Sequence, residues 1–179
     1  KTDLCRCVCR LTAPRLGHNN ETGASGERVI IEEEFAVQAP LDHVWECLRD
    51  AAFVAPCVPG CQDVEDVGEG AYRAAVKVGI GPIKTVFKLD IQVAEERSPG
   101  FARIETRGQE GTNASRLTAK SELTLRPSGE LTTNVHYKSY VQVTGRLAKF
   151  GIGIMKKKAK ALGAEFAENF RAAAEARAP

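Results

Sequence analysis

The sequence predicts an α+β domain: a curved antiparallel sheet of about seven strands around a long C-terminal helix, with two short helices after the first strand. Three observations predict it. First, alternating segments follow one another from residue 61 to residue 143, separated only by short turns: Gly79-Ile-Gly-Pro82, Ser98-Pro-Gly100 and Pro127-Ser-Gly129. Turns this short join antiparallel neighbours, and the alternation leaves one face of the sheet wet. Second, the period then becomes helical. Leu147, Phe150, Ile154, Leu162, Phe166 and Phe170 fall mostly three, four or eight apart. Third, 179 residues suffice for one domain with a real core, without metals or disulfides.

Taken in order, residues 1–27 read as a flexible tail or linker, with no sustained period and with Gly, Asn, Ser and Thr dominating from Gly17 to Gly26. The domain proper spans residues 28–176. Val29, Ile31, Glu33, Phe35 and Val37 alternate with Ile30, Glu32, Glu34, Ala36 and Gln38, a strand with Phe35 and Val37 inward. Pro40 ends that strand and opens a helix, in which Leu41, Val44, Trp45 and Leu48 keep helical spacing to about Arg49. A second short turn covers Ala51 to Ala55, before the break from Pro56 to Gly60. Inward sets follow at Tyr72, Ala74, Val76 and Val78, then at Phe87, Leu89, Ile91 and Val93. Phe101 to Arg107 is a further strand, and Leu117, Ala119, Ser121, Leu123 and Leu125 mark another. Thr133, Val135, Tyr137, Val141 and Val143 line one face of the last. The closing helix runs about 25 residues, near 38 Å, long enough to cross a whole sheet.

Hydrophobic residues at 43% and charged residues at 27% mark an ordinary globular chain. The net charge of +2 is unevenly placed: from Gly145 to Pro179 there are eight Lys or Arg against three Glu. No run of about 18 apolar residues exists to span a bilayer, and the N-terminus has no apolar signal region. The six cysteines (Cys5, Cys7, Cys9, Cys47, Cys57 and Cys61) read as free thiols of a reducing, cytoplasmic setting. The only Met is Met155, so the chain reads as cut from a longer protein or processed, with the first favoured.

Five motifs occur in order: Phe35-Ala-Val-Gln-Ala-Pro40, Val44-Trp45, Ala55-Pro-Cys-Val-Pro-Gly60, Val78-Gly-Ile-Gly-Pro-Ile-Lys84 with Phe87, and Val143-Thr-Gly-Arg-Leu-Ala-Lys-Phe-Gly151. On these, residues 29 to 171 resemble the CoxG family, the G-type subunits of carbon monoxide dehydrogenase, within the START and Bet v 1-like (SRPBCC) group of helix-grip folds. The resemblance implies a non-enzymatic role beside molybdenum hydroxylase subunits. It also implies a cavity suited to a quinone or lipid, and help in coupling that enzyme to the inner face of the membrane. Many relatives carry a further C-terminal anchoring tail, whereas this chain stops at Pro179. Asp3-Leu-Cys-Arg-Cys7 weakly resembles the end of a hydroxylase [2Fe–2S] subunit, but the family's Thr-Gly-Tyr gives way here to Val8-Cys9-Arg10. Two thiolates cannot hold such a cluster alone, so no cofactor is assigned.

Each candidate site has a plain structural reading beside it. Cys5, Cys7 and Cys9 lack the second pair a zinc site needs, and Cys57 and Cys61 read as thiols around a turn. His18, His43 and His136 assemble no nucleophile–base arrangement, with His136 on the outward face. Gly79-Ile-Gly81-Pro82 joins two strands and so is no phosphate loop. Lys156, Lys157 and Lys160 form either a solvated face or a contact with an anionic membrane or an acidic partner, and Lys158 lies close to the apolar stripe with a stem able to snorkel. Nucleic acid is not expected, since few aromatics are available to stack on bases. The apolar helix stripe is core first. The small residues Gly145, Gly151, Gly153, Ala161 and Gly163 beside it allow either close packing or a cavity. Its expected walls are Phe35, Tyr72, Phe87, Leu89, Ile91 and Tyr137 from the sheet, with Phe150, Ile154 and Leu162 from the helix. A cyclase- or aromatase-type enzyme is the alternative, and Glu33, Ser121 and Tyr137 are its only inward polar candidates. A ligand-free maturation factor with a fully packed interior is the third reading.

Overall fold

β1 (Glu27–Val37) keeps the face that alternation assigns it: Val29 and Val37 are buried, while Ile30, Glu32 and Glu34 are exposed. A computed structural model describes residues 27–111 and 114–178. The expected tail over residues 1–26, with Cys5, Cys7, Cys9 and His18, lies outside the described residues. Pro40 lacks the N–H that would continue the ladder, and α1 (Leu41–Arg49) starts directly after it, burying Val44, Trp45 and Cys47. The Asp50 carboxylate accepts from the Phe53 N–H at 3.2 Å and caps α2 (Ala51–Val54). A 3₁₀ turn over Ala55–Cys57 leads to the sheet.

The meander comprises β2 (Cys61–Gly68), β3 (Ala71–Ile80), β4 (Ile83–Arg97), β5 (Phe101–Glu110), β6 (Ser115–Gly129) and β7 (Thr132–Gly145). One seven-stranded sheet results, in the order β1-β7-β6-β5-β4-β3-β2, antiparallel throughout. β1 thus crosses over to pair with the last strand. Register shifts at Val93/Glu95 and Pro127/Gly129 add a residue to one strand of a pair, which bends the sheet around what it encloses.

A 3₁₀ segment over Arg146–Phe150 precedes α3 (Ile152–Arg177), which is 26 residues long and lies chiefly against β1. Here the phase expected from sequence changes. Gly151 has φ +81°, so the helix restarts at Ile152 instead of running on from Leu147. Met155 then faces the sheet, and Ile154, one residue and about 100° away, is 49% exposed. Ile154 is therefore not a cavity residue. For the same reason only Gly153 and Gly163 lie inside the helix.

The segment before α3 is held from below. Gly145 has φ +84°, and a Cβ there would collide with the Ala114 carbonyl, so the close approach of the two backbones requires glycine. Arg146 donates to both carboxylate oxygens of Glu110, at 3.2 and 3.3 Å, and Glu110 is fully buried. The Ser115 hydroxyl accepts the Leu147 N–H at 3.1 Å. These bonds fix where Leu147 and Phe150 enter the interior.

Two apolar clusters fill the space between sheet and helices. One joins α1 to the C-terminal half of α3 through Val44, Trp45, Leu125, Val135, Phe170 and Ala174. The other lies under the N-terminal half of α3 and contains Val29, Ile80, Phe87, Val143, Leu147 and Met155.

Candidate functional site

The second cluster does not fill its space. A cavity of about 160 Å³ opens within it. Its floor comes from inward residues of the sheet: Val29 and Ile31 on β1, Val76, Val78 and Ile80 on β3, Phe87 and Leu89 on β4, then Leu117, Val141 and Val143 on β6 and β7. Leu147 closes one end, and Met155, Lys158, Ala159 and Leu162 of α3 form the roof. The walls are β-branched and aliphatic because these strands alternate on a curved sheet with one apolar face. Lys158 is the one titratable residue in the lining. It is half-buried there, so the otherwise apolar lining carries a single cation.

The residues expected from sequence divide between the two clusters. Phe87, Leu89 and Leu162 line the cavity. Phe150 packs against the same cluster, its ring beside Gly81 at the β3–β4 turn. Tyr72 and Ile91 pair in register, half-buried, farther along β3 and β4 and outside the lining. Phe35 and Tyr137 belong to the other cluster, where Phe35 meets Phe170 edge-on at 6.3 Å. Lys156, Lys157 and Lys160 are exposed on the outer side of α3. Sequence reasoning missed Met155 and Ala159 as roof residues. The signal was present, since counting back from Leu162 by three and then four reaches both.

Between the clusters the inner face turns polar. The Tyr137 hydroxyl donates to Ser121 Oγ at 3.1 Å, and Ser121 donates to Ser139 Oγ at 2.8 Å. Both serines are buried, at 3% and 1% exposure. Glu33 lies opposite Tyr137 in the β1–β7 register.

Elsewhere the chemistry is structural. His43 Nε2 lies 3.1 Å from the Ala174 carbonyl and 3.6 Å from Cys47 Sγ, tying α1 to α3. Burial pushes the Cys47 thiol up, and does the same to Cys57, so this cysteine–histidine contact does not present an activated thiolate. Burial likewise raises Tyr72, with Asp66 adding to the effect. His136 and Lys138 both contact Glu32 on the wet face, at 3.0 and 3.1 Å, and the Lys138 hydrogen bond is the main cause of its lowered carboxyl. No group of three His, Cys, Asp or Glu suited to a metal occurs among the described residues. No helix among them is long and apolar enough to cross a membrane. A wider concavity of about 630 Å³ lies across the outer face of the sheet, between Arg28, Ile30, Arg107, Lys120, Tyr140 and Gln142. It is a hollow on the side of the sheet away from α3, and charged residues stand along it.

Comparison with known proteins agrees with this architecture. A conserved protein from Geobacillus kaustophilus is similar at 23% identity and a TM-score of 0.74, over 81% of this chain and 94% of its own. The ZhuI aromatase/cyclase from Streptomyces sp. R1128 is similar at 16% identity and a TM-score of 0.63, over 84% of this chain and 96% of its own. A START superfamily protein from Mycobacterium smegmatis is similar at 17% identity and a TM-score of 0.55, over 83% and 95%. Identities this low establish the START and Bet v 1-like helix-grip fold alone. No curated protein matches the chain by sequence. The family model for CoxG, the G-type subunit of carbon monoxide dehydrogenase, matches residues 34–175, from β1 to the last turn of α3, and thus spans the sheet, both short helices and the roof of the cavity. The chain belongs to the CoxG family of carbon monoxide dehydrogenase subunits.

Proposed function

We propose that this domain is a non-catalytic binding module that holds an apolar molecule, a quinone or a lipid, in the cavity between the sheet and α3. In this reading it works beside a carbon monoxide dehydrogenase-type molybdenum hydroxylase and helps recruit that enzyme to the membrane surface. The observation that carries the reading is the unfilled apolar space under α3, whose lining contains one titratable side chain, Lys158. Apolar wall left facing water in a space of about 160 Å³ forfeits the stabilisation that burial would bring. A ligand that fills it recovers that loss, at about 0.8 kcal/mol per buried methylene-sized group. Binding needs no acid–base pair in the walls, whereas turnover of the cyclase type needs one. The association with a hydroxylase is supported by family membership. Contact with an anionic membrane is supported by exposed Lys156, Lys157 and Lys160 beside exposed Ile154, all on the N-terminal half of α3.

Native mass spectrometry of the purified chain, followed by solvent extraction of whatever it carries, tests the binding role. A quinone or lipid at near one-to-one ratio is expected. Protein that carries nothing and takes up no added quinone or lipid refutes the reading, and leaves docking to the hydroxylase as the role.

A further inference from the structure

The polar band between the two clusters brings two features to one place. Along β1, Ile31 lines the cavity and Phe35 packs into the other cluster; Glu33 sits between them on the same inward face. Along β7, Ser139 lies between Val141 and Tyr137 in the same way, and along β6, Ser121 lies between Ala119 and Leu123. Glu33 makes no hydrogen bond or ion pair with any described residue and is half-buried. Its oxygens are not among the buried polar atoms, so the carboxylate stays open to a further hydrogen-bond donor. Above it, α3 carries Gly163, and a Cβ there would come within 2.9 Å of Glu33 Oε1 and 3.0 Å of its Cγ. Glycine within a helix costs about 1 kcal/mol relative to alanine. The helix therefore accepts a weak residue at the one position where Glu33 needs room.

We infer that this band recognises the hydroxyl group of an apolar alcohol or phenol whose hydrocarbon body occupies the cavity. The inference rests on the binding-module reading and adds the chemistry of the ligand's polar end. A carboxylate can only accept, so a ligand group that takes the place of water there must be a donor. The neighbouring hydroxyls bond along their own row, Tyr137 to Ser121 to Ser139, and none of the three hydrogen-bonds Glu33. Glu33 lies two residues beyond Ile31, about 6.7 Å along the strand from the cavity wall. That offset suits a molecule with its apolar body under Met155 and Leu162 and its O–H at Glu33. An O–H bonded to a carboxylate is charge-assisted and stronger than a neutral pair.

The test is displacement of a bound apolar fluorescent probe from the full chain by three matched molecules: 4-pentylphenol, 4-pentylanisole and pentylbenzene. The wild-type chain should bind the phenol about tenfold or more tightly than its methyl ether, which has no donor. Glu33→Gln should weaken phenol binding about fivefold or more and leave the ether within twofold. Equal affinity of the wild-type chain for phenol and ether overturns the inference, and so does an equal loss for both in Glu33→Gln; the cavity reading survives either result. The wild-type comparison decides the matter even if the variant fails to fold. If the chain takes up neither the probe nor any of the three molecules, the binding-module reading and this inference fall together.

Discussion

Replacing Ala159 by leucine probes the cavity directly. Ala159 lies in its roof, and Phe87 and Leu89 are in its floor. Leucine adds three carbon-sized groups, which contribute at most about 2.4 kcal/mol at about 0.8 kcal/mol each. Ordering the larger side chain costs about 0.5–1 kcal/mol. Leucine and alanine are both strong helix formers, so α3 itself changes little. The net expectation is a gain of about 1.5 kcal/mol, or about 3–6 °C in Tm for a domain of this size. Thermal unfolding of ligand-stripped protein by circular dichroism measures it, and uptake of an apolar fluorescent probe should fall in the same variant. A lower Tm would mean that the space is already packed, since overpacking costs about 1–3 kcal/mol. A higher Tm with undiminished probe uptake would place the ligand elsewhere.

Arg146→Met should destabilise the fold by about 3 kcal/mol, because it strips a charge-assisted partner from the fully buried Glu110; urea unfolding measures the loss, and a change below about 0.5 kcal/mol would refute the bond's importance. Changing Lys156, Lys157 and Lys160 together to alanine should weaken binding to anionic lipid vesicles about 100-fold, at about 1 kcal/mol per lysine, while binding to neutral vesicles stays the same. Unchanged co-sedimentation with anionic vesicles would exclude this face as the membrane contact. The buried thiols predict an alkaline weakness. Burial raises Cys47 and Cys57, so from about pH 9.0 upward the unfolded chain loses protons that the folded chain still holds. Stability falls through that interval, as pH rises from the unfolded toward the folded value. In the variant Cys47→Ala with Cys57→Ala the urea midpoint should fall less steeply above that pH, and parallel slopes would contradict the assignment.

Most of the architecture is legible in the sequence because alternation is local. Val76 and Val78, or Phe87 and Leu89, show which side of a strand is apolar without reference to anything distant. Alternation says nothing about position along the sheet. Phe35, Tyr137 and Leu89 share the inner face, yet the first two pack toward Phe170 and the third toward Met155; only the registers across the sheet separate them. Ile154 shows a second limit. Helical periodicity is legible only within one continuous helix, and the positive φ of Gly151 resets it between Phe150 and Ile152. The pairing of Glu33 with Gly163 joins residues 130 positions apart, so neither residue announces the other in a single sequence.

α3 is fastened unevenly along its length. Near its C-terminal end, Phe170 and Ala174 are fully buried, the Ala174 carbonyl meets His43, Glu175 accepts the Gln38 N–H, and Arg177 contacts Asp50. Over the first three turns, Met155 is the one buried side chain, and Gly153 has open space where a side chain would stand. The free energy needed to open the backbone must therefore fall from one end of the helix to the other. Amide hydrogens from Ile152 to Ala161 should exchange by local fraying, long before those around Phe170 exchange by global unfolding. The loosely held end is the one above the cavity, so a molecule can pass in or out through fluctuations of two or three helical turns while the rest of the domain stays folded.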